Sequence, residues 1–153
     1  MDKKWILLCM MFLVSLVIGS VGAAELESHD FGDYFSMDVP KGTDFSNETI
    51  ISAENGTTQV VAVFMGGDLE IVYLNSTKDF DKNATDHFKV IFEAIYPMNL
   101  NHKGPEGDLI IFEADDDGDT YPVVVKTSGN ELVYVIGDDL NLIKEMGNTI
   151  KFD

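Results

Sequence analysis

The chain has no arginine, a single cysteine, one tryptophan and only four prolines among its 153 residues. Each scarcity excludes something. Without arginine there is no bidentate fork for phosphate or carboxylate, and all ten cations are lysines, facing 27 Asp and Glu for a formal charge of −17. Setting aside the first 24 residues leaves eight lysines against 26 acids, a formal −18. Binding driven by charge to nucleic acid or to an anionic lipid surface is thereby excluded, because either would have to overcome repulsion. The one cysteine, Cys9, lies inside an apolar N-terminal run, with Leu8 before it and Met10-Met11-Phe12 after it, so it does not resemble a lipid-attachment site. Beyond that run no disulfide can form, and an apolar core alone must stabilise about 130 residues, a size at which this is feasible. With 45% apolar residues and ten Phe, the material for such a core is present and disorder is excluded.

The N-terminal run itself is informative. Lys3 and Lys4 precede an apolar stretch from Trp5 to Gly22 that ends in the small residues Gly22-Ala23-Ala24. A charged start, an apolar middle and a small-residue end are the parts of a secretory signal. The stretch is also at the short limit for a membrane-spanning helix. Residues 1–24 therefore read as a signal peptide or as a retained N-terminal membrane anchor, and both place the rest of the chain outside the cytoplasm. Any membrane contact is expected only through residues 5–22, if the leader is retained.

Residues 25–33 are polar and read as an exposed lead-in, and 34–153 as one α+β domain. Tyr34 to Val39 alternates and stops at Pro40-Lys41-Gly42, giving a first strand and a turn. Thr49 to Ala53 is a second strand, followed by Asn55-Gly56, the pair most favoured in a two-residue hairpin. Val60 to Met65, the turn Gly66-Gly67 and Leu69 to Leu74 complete a meander. The period then becomes helical. Phe88, Ile91, Phe92 and Ile95 share a face, with Asp79 or Asn83 as N-cap and Pro97 beyond the end. Met98 to Gly107 reads as a loop. Three further strands follow, Leu109 to Glu113, Tyr121 to Lys126 and Leu132 to Ile136, turning at Asp115–Gly118 and Ser128–Asn130. Leu140, Ile143, Met146 and Ile150 mark a last helix capped by Asp138 or Asp139. The expected fold is an antiparallel sheet of six to seven strands with two helices packed on it. Val60 to Val63 and Val123 to Val125, apolar on both faces, are expected at its centre.

Two stretches carry a resemblance. Tyr34 to Gly42, an aromatic-led alternating strand closed by Pro-x-Gly, resembles the opening strand of PsbP-like domains. Leu140, Ile143, Met146, Thr149, Ile150 and Phe152 resemble their closing helix and last short strand. The order of elements between them is similar too, so the likeness spans Phe31 to Phe152. The resemblance implies an α/β/α sandwich used as a non-catalytic accessory or binding module, and it transfers no catalytic residue.

Four N-glycosylation sequons begin at Asn47, Asn55, Asn75 and Asn83. Chance would give about one in this composition. An acceptor asparagine must be on the surface of an exported chain. Asn55 has an alternative role in its hairpin turn and Asn83 as a helix cap, whereas Asn47 and Asn75 sit at strand ends. A second feature is the hairpin Glu113-Ala114-Asp115-Asp116-Asp117-Gly118-Asp119, in which Asp115, Asp117 and Asp119 suit a hard cation such as Ca²⁺. Counted from Glu113, position twelve is Val124, so this is not an EF-hand. The alternative is a solvated turn whose charges discourage edge pairing. His29, His87 and His102 are scattered, with no zinc spacing, and His87 is expected to face water. Neither Gly-x-Ser-x-Gly nor Ser-x-x-Lys occurs. The expectation is a secreted or surface-anchored, N-glycosylated, non-catalytic domain with no cofactor, whose partner is a protein or another component of the cell envelope. A calcium-dependent surface module is the alternative, and a hydrolase using dispersed acids comes third.

Overall fold

A computed structural model of the chain describes residues 24–48, 52–54 and 58–153. The leader, the hairpin turn at Asn55-Gly56 and residues 49–51 of the expected second strand lie outside the described residues. The strands are β1 (Leu26–Phe31), β2 (Phe35–Pro40), β3 (Ser46–Glu48), β4 (Ser52–Glu54), β5 (Thr58–Gly66) and β6 (Leu69–Ser76). A single 3-10 turn, Phe80–Lys82, leads into α1 (Ala84–Ile95). Strands β7 (Asn99–Glu106), β8 (Leu109–Asp116), β9 (Asp119–Ser128) and β10 (Glu131–Ile136) follow, then α2 (Leu140–Asn148) and β11 (Lys151–Phe152).

The fold is α+β, with every strand pair antiparallel. The large sheet runs β3-β5-β6-β10-β9-β8-β7, and β4 lies beside β5 on the same edge as β3, so two short strands share one edge position. A separate three-stranded sheet, β1-β2-β11, packs on one of its faces.

Alternation along the central strands divides the core in two. Val72 and Leu74 of β6, Val123 and Val125 of β9, and Leu132, Tyr134 and Ile136 of β10 meet Phe88, Ile91 and Phe92 of α1. The intervening residues Ile71, Tyr73, Val124, Val133 and Val135 meet Ile143 and Met146 of α2 and Phe31, Phe35, Met37 and Val39 of the small sheet. Val123, Val124 and Val125 are all fully buried, as a strand covered on both faces requires. The layers are thus α1, the large sheet, and α2 together with the small sheet.

Of the two candidate caps of the first helix, Asp79 caps the 3-10 turn that precedes it, and Asn83 holds the N-cap position without a side-chain bond. Asp79 accepts the amide of Asp81 at the 3-10 turn, and α1 begins after Asn83. Of the two candidates for α2, Asp139 is the cap, accepting Asn141 N at 2.9 Å and Leu142 N at 3.2 Å.

Two expectations are corrected. Residues 25–33 are not a lead-in, because β1 pairs with β2 along its whole length, from Leu26 opposite Pro40 to Phe31 opposite Phe35. Residues 98–107 are not a loop, because β7 pairs with β8 from Asn99 opposite Asp115 to Glu106 opposite Leu109. Both strands lie at sheet edges, where outward faces are wet and apolar alternation is not needed. The outer edge of β7 is guarded by Lys103, Pro105 and a bulge between His102 and Gly104, features that discourage pairing with another chain.

Candidate functional site

The sequon asparagines differ in what the fold does with them. Asn47 is central in β3, opposite Phe64, and its side chain lies outside the described residues, as does all of Asn55. Asn75, the second-last residue of β6, is half-buried, and its amide oxygen is engaged. Its Oδ1 accepts Asn130 Nδ2 at 3.2 Å, and two residues before it the Tyr73 hydroxyl donates to Glu131. Burial and then the neighbouring Glu131 carboxylate push the Tyr73 pKa well above the usual phenol range.

Asn83 is in the opposite situation. The head of α1 is tacked to the β9–β10 turn by Asp81, which accepts Thr127 Oγ1 at 2.6 Å and Gly129 N at 2.9 Å, while Phe80 N donates to Gly129 O at 2.7 Å. The Thr127 hydroxyl and then the Gly129 amide hold the Asp81 carboxyl below the usual range. Phe80 is fully buried beneath this corner, with His87 stacked on it at 4.7 Å. His87 is therefore half-buried and not simply turned to water. Burial, and then Lys78, lower its basicity. Asn83 follows on a rigid base, exposed, and its side chain makes no capping hydrogen bond. It uses only its backbone, donating to Phe80 O at 3.2 Å and accepting His87 N at 3.1 Å. Among the sequon asparagines whose side chains are described, Asn83 is the one whose amide is on the surface and not tied into the fold.

The acidic hairpin forms where expected. Asp116 faces Asp119, leaving Asp117 (φ 52°) and Gly118 (φ 102°) as central residues, both left-handed as a type I′ turn demands. The three acids singled out for a cation are not gathered. Asp115 accepts the Gly118 amide at 2.9 Å and sits opposite Thr120, so strand alternation sends its side chain to the other face from Asp116 and Asp119. Among the described residues, no group of three or more His, Cys, Asp or Glu is placed to hold a metal ion. Tyr121, beside the Asp116–Asp119 pair, has its acidity weakened by burial and then by Asp119 and Asp116.

The most deeply buried acid among the described residues is one that the motifs do not reveal. Glu70 of β6 points to the α1 side of the sheet and is 4% exposed. One carboxyl oxygen, Oε1, is bonded to the hydroxyl of Tyr96, the C-cap of α1, and that hydroxyl lies 2.8 Å from the hydroxyl of Tyr134 on β10. The other oxygen, Oε2, has no hydrogen-bond partner among the described residues. Burial raises the Glu70 pKa and the Tyr96 bond only partly offsets it. Both tyrosines are pushed well above the usual phenol range, first by their own burial and then by Glu70. The one available signal is a lone acid within the otherwise apolar run Leu69 to Leu74.

The surface carries two hollows. An open cleft of about 460 Å³ lies beside α2 over the β7–β8–β9 end of the sheet, lined by Lys103, Glu106, Ile111, Glu113, Pro122 and Leu140 among others. A smaller one of about 240 Å³ brings Asp68 and Asp138 near the α2 cap, and burial followed by Asp68 raises the Asp138 pKa. Among the described residues no helix is long and apolar enough to cross a membrane. No family model matches the chain, and no curated protein matches it.

Proposed function

We propose that this chain is an exported, surface-facing domain of the PsbP-like kind that acts by binding and not by catalysis, N-glycosylated first at Asn83. The observation that carries the exported, glycosylated part is the state of Asn83. A sequon asparagine stands exposed on a firmly anchored helix head, with its amide uninvolved in capping, in a chain that opens with a leader-like segment. Asn75, half-buried and tied to Asn130, is the less suitable acceptor.

The PsbP-like part is supported by where its two carrier stretches go. The opening strand β2 and the closing strand β11 pair, with Lys151 opposite Ser36 and Phe152 opposite Phe35. Just before β11, the Thr149 hydroxyl accepts the Asp38 amide at 2.8 Å. The similar segments are thus one structural unit. The binding part is supported by the disposition of the acids. The buried carboxyl Glu70 is sealed in the core, and Asp81 and Asp139 are occupied in holding turns and caps.

Intact-mass measurement of the protein from a secreting, glycosylating host tests this reading, before and after enzymatic removal of N-glycans, with Asn83→Gln alongside. The expected mass lacks the leader, or retains it as an anchor, and carries a glycan that Asn83→Gln removes. A mass equal to the unmodified 153-residue chain would overturn the proposal.

A further inference from the structure

We propose that Glu70, with Tyr96 and Tyr134, forms a proton-operated latch that fastens the C-terminal end of α1 to the sheet, closed when Glu70 is protonated and loosened when it ionises. Three oxygen groups from three elements form one chain, β6 to the α1 C-cap to β10, within the core beneath α1. Among the described residues, the titratable groups facing Glu70 are Tyr96 from α1 and Tyr134 from β10. Its cross-strand partners are apolar, Met65 on β5 and Ile136 on β10. Glu93, the acid on the last turn of α1, is exposed and accepts the Leu100 amide, so it takes no part. No lysine contributes to the displaced acidity of Glu70.

Counting protons separates the two states. When Glu70 is protonated on Oε1, it donates to Tyr96 and Tyr96 donates to Tyr134. The unpaired Oε2 is then a carbonyl oxygen of a neutral acid, and one phenol proton is left over. When Glu70 is ionised, the chain reverses, Tyr134 donating to Tyr96 and Tyr96 to Glu70. Both links survive, but a full charge now sits in the core with one oxygen unbonded and no counter-ion. A leftover neutral group costs far less than an uncompensated buried charge, so the closed state is the protonated one.

The sign of the pH dependence follows. Burial raises the folded-state pKa of Glu70 above its ordinary 4.5. Between the two values the folded chain holds one more proton than the unfolded chain. Stability from the latch is therefore complete below the unfolded value and is lost as pH rises through the folded one. The end of α1 is the part to yield, because Tyr96 is its cap and the Pro97 that follows cannot extend the helix.

The test uses the protein as isolated from the secreting host, comparing thermal unfolding of wild type, Glu70→Gln and Tyr96→Phe from about pH 4 to about pH 9. Glutamine keeps the shape and cannot ionise. The wild-type midpoint should fall relative to Glu70→Gln by on the order of 5 °C per pH unit within the window, the two converging at the acid end. Tyr96→Phe should keep the onset of the pH dependence, which the unfolded chain sets, and extend the loss to higher pH, because the bond that favours the carboxylate is gone. Hydrogen exchange, corrected for its intrinsic pH dependence, should show amides at the end of α1 losing protection before those of β9. Parallel curves for wild type and Glu70→Gln would overturn the latch. If Glu70→Gln fails to fold, a carboxyl chemical-shift titration of wild-type Glu70 decides, and a midpoint at or below the ordinary carboxyl range would overturn it equally.

Discussion

Gly147 lies on the inner face of α2, buried one residue before the helix ends. By helix propensity alone, Gly147→Ala should stabilise the protein by up to about 1 kcal/mol, less near a helix end. The packing reverses the sign. A Cβ at this position would stand 2.8 Å from Val124 Cγ1 and 3.2 and 3.4 Å from the two Leu109 methyls. Leu109 can turn aside, but Val124 is stiff at χ1 and fully buried in the middle of the sheet. Overpacking of this kind costs about 1–3 kcal/mol, so the net change for Gly147→Ala is a loss of about 1–2 kcal/mol. Val124→Ala alone removes two buried methyls and leaves a cavity, a loss of about 2–3 kcal/mol. In the double variant the new methyl occupies part of the space that Val124 vacated. The combined loss should then fall short of the sum by about 1–3 kcal/mol, the range seen for residues in contact. Urea unfolding of the four proteins, with midpoints compared at unchanged slope, measures both numbers. A Gly147→Ala protein more stable than wild type, or two losses that simply add, would refute this account of the contact.

Asp139→Ala should lower stability by about 1 kcal/mol through loss of the α2 cap, while Asp139→Asn, which can still accept both amides, should lose much less in the same urea assay. Asp81 gives an acid-side effect. The Thr127 hydroxyl and the Gly129 amide depress its folded-state pKa below the ordinary 3.8, so its contribution is present above that value and is lost as pH falls through the lower one. Asp81→Asn should therefore flatten the acid limb of the stability profile below about pH 4, in a modest amount because the group is exposed. An unchanged acid limb would remove Asp81 as the fastening of the α1 head.

Much of the fold could be read from residue pattern because burial imposes it. Phe88, Ile91 and Phe92 recur at helical spacing since they fill one side of the sheet, and Val123 to Val125 run apolar since both of their faces are covered. The elements that escaped are those on which burial imposes little. β7, reading Asn99-Leu100-Asn101-His102-Lys103-Gly104-Pro105-Glu106, buries only Leu100, so no alternation betrays it. β1 is held by its pairing with β2, and its fully buried anchor is its last residue, Phe31. Backbone pairing carries such strands, and pairing leaves no mark on side-chain polarity. The sequon asparagines show the same limit. Asn75 and Asn83 carry the same motif, and only the long-range partner Asn130 distinguishes an occupied amide from an open one.

Glu70 shows how a buried acid can be reached from residues alone. Leu69 to Leu74 contains apolar residues on both faces, the mark of a strand covered on both sides, and all six residues are indeed buried. A carboxyl inside such a strand has only three fates: a cation beside it, a full set of donors, or a proton of its own. The chain has no arginine, and its lysines are eight against 26 acids beyond the leader, so composition weighs against the first fate. The structure removes the second, since Oε2 lacks a donor among the described residues and Tyr96 is the single group bonded to Oε1. The third is the fate that the proposed latch assigns to Glu70. The excess of acid that excludes an anionic partner outside also leaves this one carboxyl without a counter-ion inside. That absence makes its proton part of the fold.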